Sequence, residues 1–113
     1  MTYKFGVVLD ERRLAAVRGT PLERLLKPLF GGSIMLLEIE VPDEVAKKIL
    51  AEFPDARVDA RGFIEDVPVA FRKAVFEVLA AKKSQDIWSD VLAKLPEIKR
   101  EAEKEKEYLP PPI

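Results

Sequence analysis

Hydrophobic and polar positions follow two different repeats within residues 33–53. In the first part, SIMLLEIEV, apolar side chains recur at alternate positions, which is typical of a strand with one buried face. In the second part, PDEVAKKILAEF, apolar positions recur every three or four residues and predict an amphipathic helix. Pro42 fits its first position, and Asp43 and Glu44 suit the positive end of its dipole. A strand followed by a helix is therefore the predicted centre of the fold.

The N-terminal third of the chain predicts one strand and two helices. Residues 2–9 alternate as a strand does, and Asp10 can cap a short helix through Val17, with Gly19 as its C-terminal stop. Residues 20–23, TPLE, form a capping box with proline at the first position, which predicts the start of a second helix. We expect Pro28 to end or kink that helix.

The pattern after Pro54 predicts a third strand and two further helices. Residues 56–66 alternate, and Gly62 within them leaves a bulge and the tight turn of a hairpin both open. Pro68 begins one helix, and an apolar stripe from Ile87 indicates another.

This order of elements indicates a fold class. It is β-α(α)-β-α-β-α-α, an α/β chain in which each strand has one apolar and one largely polar face. We predict a small two-layer sandwich of about three strands with the helices on one face. Helical crossovers favour parallel strands, whereas a hairpin at Gly62 would bring the fold nearer to an α+β arrangement, which stays open as the alternative class.

Apolar residues become rare after Pro96. The segment EIKREAEKEKEYLPPPI carries opposite charges spaced for i,i+4 pairs, followed by three prolines. We therefore predict a single α/β domain over residues 1–95 and a charged helical extension with a proline-rich tail over 96–113. Such a helix buries little of itself, so it projects into solvent, packs on another chain, or frays.

Composition limits the chemistry. The 113 residues include no His, Cys or Asn, and 35% are charged with a net charge of −1. Without imidazole or thiol groups we predict a non-enzymatic protein. Abundant charge with few thermolabile side chains is typical of hyperthermophiles. No apolar run is long enough for a bilayer and no signal peptide is evident, so a cytoplasmic protein without membrane contact is predicted.

One acidic cluster follows the central strand. Glu38 and Glu40 share a strand face, and two such carboxylates can bind Mg²⁺. Asp43 and Glu44 are already explained by the helix start, and so short a spacing is common by chance. We predict no cofactor, no metal site and no small-molecule substrate.

The polar face of the sheet is the first candidate surface. Charged side chains on neighbouring strands have two interpretations. They form either an ion-pair network on a solvated sheet or a docking surface for a partner, and the composition favours the ion-pair network. A short apolar patch interrupts it, and Tyr108 can dock before the prolines. A protein partner or self-association is the leading hypothesis. The candidate interaction residues are Ile34, Leu36, Arg57, Arg61, Phe63 and Tyr108.

Basic side chains in the first 32 residues are the second candidate surface. This segment has a net charge of +3, whereas residues 33–66 carry −5. Clustered Arg and Lys on helices are typical of nucleic-acid binding, although a solvated helical face explains most such runs. Nucleic acid is therefore the alternative partner. The candidate residues are Arg12, Arg13, Arg18, Arg24 and Lys27.

Overall fold

The structure, a computed structural model, describes residues 2–32 and 34–108, with side chains up to residue 105. Its main sheet has three strands in the order β1 (Tyr3–Leu9), β3 (Ile34–Val41) and β2 (Leu26–Leu29). Both pairings are antiparallel, so the prediction of parallel strands is wrong. The connection from β2 to β3 is too short for a helical crossover and can only join antiparallel neighbours.

Strand β2 replaces the second predicted helix. Thr20 caps this segment, because its hydroxyl oxygen accepts a hydrogen bond from the Leu22 N–H at 3.2 Å. The predicted capping box forms only in part, because the Glu23 carboxylate accepts from the Gly19 N–H and not from that of Thr20. The helix that follows is a single 3-10 helix, Pro21–Leu25, after which the chain extends. Pro28 lies in the extended segment, which is an edge strand and the sheet position that proline tolerates.

A hairpin resolves the alternatives at Gly62. Strands β4 (Arg57–Val58) and β5 (Ile64–Glu65) pair antiparallel, and the Asp59 carboxylate accepts hydrogen bonds from the N–H groups of Arg61 and Phe63 at 2.8 and 2.9 Å. Gly62 has φ +93°, and a Cβ there would overlap the carbonyl oxygen of Thr2. The hairpin thereby lies against β1.

Five α-helices complete the fold in the described segments: α1 (Glu11–Leu14), α2 (Asp43–Glu52), α3 (Val69–Lys82), α4 (Trp88–Ala93) and α5 (Leu95–Tyr108). Together with the sheet they confirm the predicted class, a small α/β sandwich with helices on one face. None of the helices in the described part of the chain has the length and apolar character needed to cross a bilayer.

Aromatic side chains fill the layer between sheet and helices. The Phe5 ring meets those of Phe71 and Trp88 edge to face, with centroids 5.5 and 6.2 Å apart. Phe53 meets Phe71 in the same way at 5.4 Å. The Trp88 indole N–H donates to the Glu40 carbonyl oxygen at 2.8 Å, so the ring is buried with its polar atom satisfied.

Helix α5 packs on the rest of the molecule, contrary to the expectation that it buries little. Leu95, Ile98 and Ala102 form a narrow stripe that is buried against the other helices. The Glu105 carboxylate accepts a hydrogen bond from the Ala70 N–H at 3.3 Å, at the start of α3. The division at residues 95 and 96 stays a prediction, and residues 109–113 lie outside the described part.

Candidate interaction face

One face of the main sheet carries no buried side chain. Core residues such as Phe5 and Leu37 point to the helices, and their neighbours along each strand point away and are half-buried or exposed. We call this second surface the open face. Strand pairing and the hairpin contact place on it Lys4, Gly6, Val8, Lys27, Leu29, Ile34, Leu36, Glu38, Glu40 and Phe63.

The open face is apolar at one end. Val8, which is 52% exposed, pairs directly across from Leu36. A Cβ on Gly6 would lie 3.0 Å from Leu36 Cδ1 and 3.6 Å from Phe63 Cε1, so these two side chains approach each other over the glycine. The resulting apolar strip consists of Val8, Leu29, Ile34, Leu36 and Phe63.

Phe30 follows Leu29 of this strip along the chain and, among the described residues, is the most exposed large apolar one, with 82% of its surface accessible. Its φ angle of +48° lies in the left-handed region, which bulky side chains rarely adopt. Phe30 was not singled out from the sequence. The Gly31-Gly32 pair that follows it does predict a turn, and side chains in turns are often exposed to solvent.

The other end of the open face is charged. The Glu38 carboxylate lies 2.6 Å from the Lys27 ammonium and 3.3 Å from that of Lys4, so the residue joins all three strands. The hydrogen bond from Lys27 is the main reason that the pKa of Glu38 is lowered, and Lys4 adds to it against the opposing effect of burial. The residues described contain no group of three or more side chains placed to hold a metal ion.

The predicted interaction residues are only partly brought together. Ile34, Leu36 and Phe63 lie on the open face. Arg61 joins them at its edge, with its guanidinium 5.5 Å from the centre of the Phe63 ring. Arg57 instead forms an ion pair with Asp66 at 2.7 Å beside the hairpin. The side chain of Tyr108, the last residue of α5, lies outside the described part.

The five predicted nucleic-acid residues do not form one patch, because three of them line two separate depressions and the other two line neither. Arg24 and Lys27 line a depression that also contains the carboxylates of Glu38 and Glu40. Arg13 lines a different one. Arg12 and Arg18 are exposed and line neither.

The depression at Arg13 contains charges that sequence reasoning missed. It is lined by Arg13, Arg72 and Lys73, by the exposed apolar side chain of Val69, and by β1. No acidic residue lines it. Arg13 comes from α1 and the other two charges from α3, nearly 60 residues later, so only the packing of α3 on the sheet brings them together.

These features define a class of protein: a small α/β sandwich whose antiparallel sheet is covered on one side by the helices of the described segments. The chain belongs to a family of unknown function, DUF6955, whose model matches residues 3–92, from β1 into α4. No curated protein and no solved structure matches the chain.

Proposed function

We propose that this protein is a non-enzymatic interaction module that self-associates through the open face. The observation that carries the proposal is the apolar strip with Phe30, 82% exposed, at its end. Covering an apolar sheet face of this kind with a second layer stabilises the assembly by about 25 cal/mol per Å² of apolar surface removed from water. The partner layer is a second copy of the same chain.

Charge complementarity favours a second copy over an unrelated partner. The charged end of the open face presents both signs, with Glu40 exposed and the side chains of Lys4, Lys27 and Arg61 nearby. A twofold axis brings the same patch of each copy together, which requires that the patch complement itself. A patch with both signs and a shared apolar strip meets that requirement, and the net charge of −1 adds little repulsion.

The backbone of Phe30 supports an interface role for its ring. A left-handed conformation costs a non-glycine residue about 1–2 kcal/mol, and Phe30 adopts it at φ +48° while 82% of the residue's surface stays accessible. Burial of a phenylalanine ring against a partner is worth about 1.5–3 kcal/mol, which offsets that cost. Strained residues of this kind are often found at binding surfaces.

Phe30→Gly tests the proposal by sedimentation velocity over a concentration series. Glycine adopts positive φ without penalty, so the fold is retained while the ring is lost. We expect the wild type to dimerise at micromolar concentration and Phe30→Gly to weaken the dimer at least tenfold. Ile34→Lys, which places a charge in the apolar strip, should do the same.

The matched control is Val69→Ser. Val69 is also an exposed apolar residue, at 62%, but it begins α3 and lies at the β1 edge of the sheet, outside the open face. Its replacement should leave association unchanged. A wild type that stays monomeric up to about 100 µM, or a dimer that Phe30→Gly does not weaken, would refute self-association through this face.

Nucleic-acid binding is the second candidate function, and the exposure of Arg12 and Arg18 supports it. Neither side chain forms an ion pair in the described part of the chain, so both are available to phosphates. Anisotropy with labelled single- and double-stranded DNA should then show affinity that falls steeply with salt and is lost in Arg12→Glu/Arg18→Glu. Absence of binding at low salt would eliminate this candidate.

We further propose that the protein acts in the cytoplasm of a hyperthermophile. Two observations support the hyperthermophile. Charged residues make up 35% of the chain, and Glu38, Glu52 and Asp66 each form an ion pair with a basic side chain within 3 Å. Cell fractionation followed by detection with an antibody tests the location.

A further inference from the structure

The two edges of the main sheet are protected to different degrees. The Lys4 N–H donates to the Gly62 carbonyl oxygen at 2.9 Å, so the backbone groups of Lys4 point away from β3. Pairing across the sheet then directs the N–H and C=O groups of Leu26 and Pro28 outward on β2. Because proline has no N–H, this outer edge of β2 cannot accept a regular further strand.

The edge of β1 is closed at its start and open beyond. Groups two and four residues after Lys4 point the same way, so the N–H and C=O of Gly6 and Val8 also face outward. In the described segments the hairpin forms a single bridge with β1, between Lys4 and Phe63, and its strands otherwise pair with each other. No backbone hydrogen bond in the described segments reaches the outward groups of Gly6 or Val8.

The open part of this edge faces the basic depression described above, which we call the edge groove. It is lined by Gly6, Val7, Val8, Arg13, Val69, Arg72 and Lys73. Arg13 is held over the Phe76 ring, with its guanidinium carbon 5.6 Å from the ring centre. The groove therefore combines an unpaired strand edge, three positive charges and one exposed apolar side chain.

We propose that the edge groove binds an extended acidic segment of a partner protein as an added strand beside β1. Backbone pairing with Gly6 and Val8 would supply hydrogen bonds, and alternate acidic side chains would meet the basic residues. A second copy of β1 is disfavoured, because it would bring Arg13, Arg72 and Lys73 against their own copies. A nucleic acid is disfavoured too, because its phosphate oxygens are hydrogen-bond acceptors and cannot pair with the outward carbonyl oxygens of the edge, which are also acceptors.

A capped, fluorescently labelled eight-residue peptide of alternating valine and glutamate tests this proposal by anisotropy. We expect it to bind the full-length wild type, and the same peptide with lysine in place of glutamate not to bind. In a bound strand, alternate N–H groups of the peptide face β1 and the others face away. N-methylation of the nitrogens that face β1 should weaken binding at least tenfold, and N-methylation of the others should have little effect. Affinity should fall as salt is raised.

Two pairs of protein variants locate the site. Val8→Pro removes the outward N–H at an edge position where proline is tolerated, and should weaken binding at least tenfold, whereas Val8→Thr keeps that N–H and should stay within twofold. Lys73→Glu should weaken binding at least tenfold, whereas Lys47→Glu, the same reversal on the exposed side of α2, should not. Circular dichroism verifies that each variant is folded.

Three outcomes would overturn the proposal. The first is no binding of the glutamate peptide at millimolar concentration. The second is binding that neither Lys73→Glu nor backbone N-methylation weakens. The third is self-association, in the sedimentation experiment, that Val8→Pro abolishes and Val8→Thr does not, which would assign the edge to a second copy. The open-face proposal is tested separately through Phe30.

Discussion

Single residues decide which surfaces of this small sheet can meet a partner. Gly6 has no side chain, and Leu36 and Phe63 therefore close over it to join the strip. Pro28 protects the edge of β2 by having no N–H. Each of these residues is visible in the sequence, but its role depends on a neighbour that is distant along the chain.

Gly62→Ala should destabilise the fold by more than about 2 kcal/mol. Its φ of +93° costs an L-residue about 1–2 kcal/mol, and the new Cβ would also push against the Thr2 carbonyl oxygen. Gly31→Ala is the control, because Gly31 has φ +72° and no atom within 4 Å of the built Cβ, so only the conformational cost applies. Chemical denaturation measures both. Equal losses would mean that the hairpin does not press on β1.

Glu38→Gln should cost about 1 kcal/mol at pH 7, since it removes two cross-strand ion pairs. The pKa of Glu38 is lowered in the folded protein, so its contribution is fully present above the unfolded value of about 4.3 and is lost as the pH falls through the folded value. Denaturation from pH 7 to 2 should therefore show the two stabilities converging in acid.

Glu40→Gln is the comparison for that experiment. Glu40 lies two residues further along the same face but is exposed, and no ion pair involves it in the described segments. Its replacement should change stability by less than about 0.5 kcal/mol at every pH. A Glu38→Gln deficit that persists unchanged at pH 2 would show that the ion pairs are not its source.

Elements show how local signals and tertiary packing share control of the fold. Asp10 and Thr20 both accept a hydrogen bond at the start of a helical segment, because an N-cap depends on residues within one turn. The length of a helix is not determined by its cap. The helix predicted after Thr20 is a single 3-10 segment that ends at Leu25. Pairing with β3 gives residues 26–29 backbone partners that outweigh helix propensity there.

Ile98→Ala should destabilise the protein by about 2–4 kcal/mol, because the side chain is 3% exposed and lies between α5 and the other helices. Glu97→Ala, one position earlier and exposed, should change stability by less than about 0.5 kcal/mol. Denaturant unfolding of both variants makes the comparison. Equal effects would mean that α5 does not dock, and would favour a domain that ends near residue 95.

At the scale of the whole molecule, the topology leaves two surfaces that no other part of the described segments covers. Helices cover one face of a three-stranded antiparallel sheet, and the chain has no further layer for the other face in its described part. The hairpin covers only the first part of the β1 edge. The open face and the edge groove result from this incomplete coverage of the sheet. We propose a second copy of the chain for the open face and an acidic segment of a partner protein for the edge groove.

The thermal midpoint should exceed about 90 °C if the composition reflects a hyperthermophile. Circular dichroism on heating measures it, and the scan should be run at several protein concentrations because association raises the midpoint by mass action. Phe30→Gly should remove that concentration dependence. A midpoint of 45–65 °C, the range of ordinary mesophile domains, would contradict the thermophilic assignment.

The sequence by itself determined the features that depend on neighbouring residues. It predicted the central strand and α2, the caps, the apolar faces and the two-layer class, because periodicity and capping act within a few turns. Only the tertiary structure decided the direction of the strands, the identity of the third strand, the docking of α5 and the residues of the edge groove. These depend on which distant surfaces pack together, and a repeat of two or 3.6 residues specifies a face without specifying what covers it.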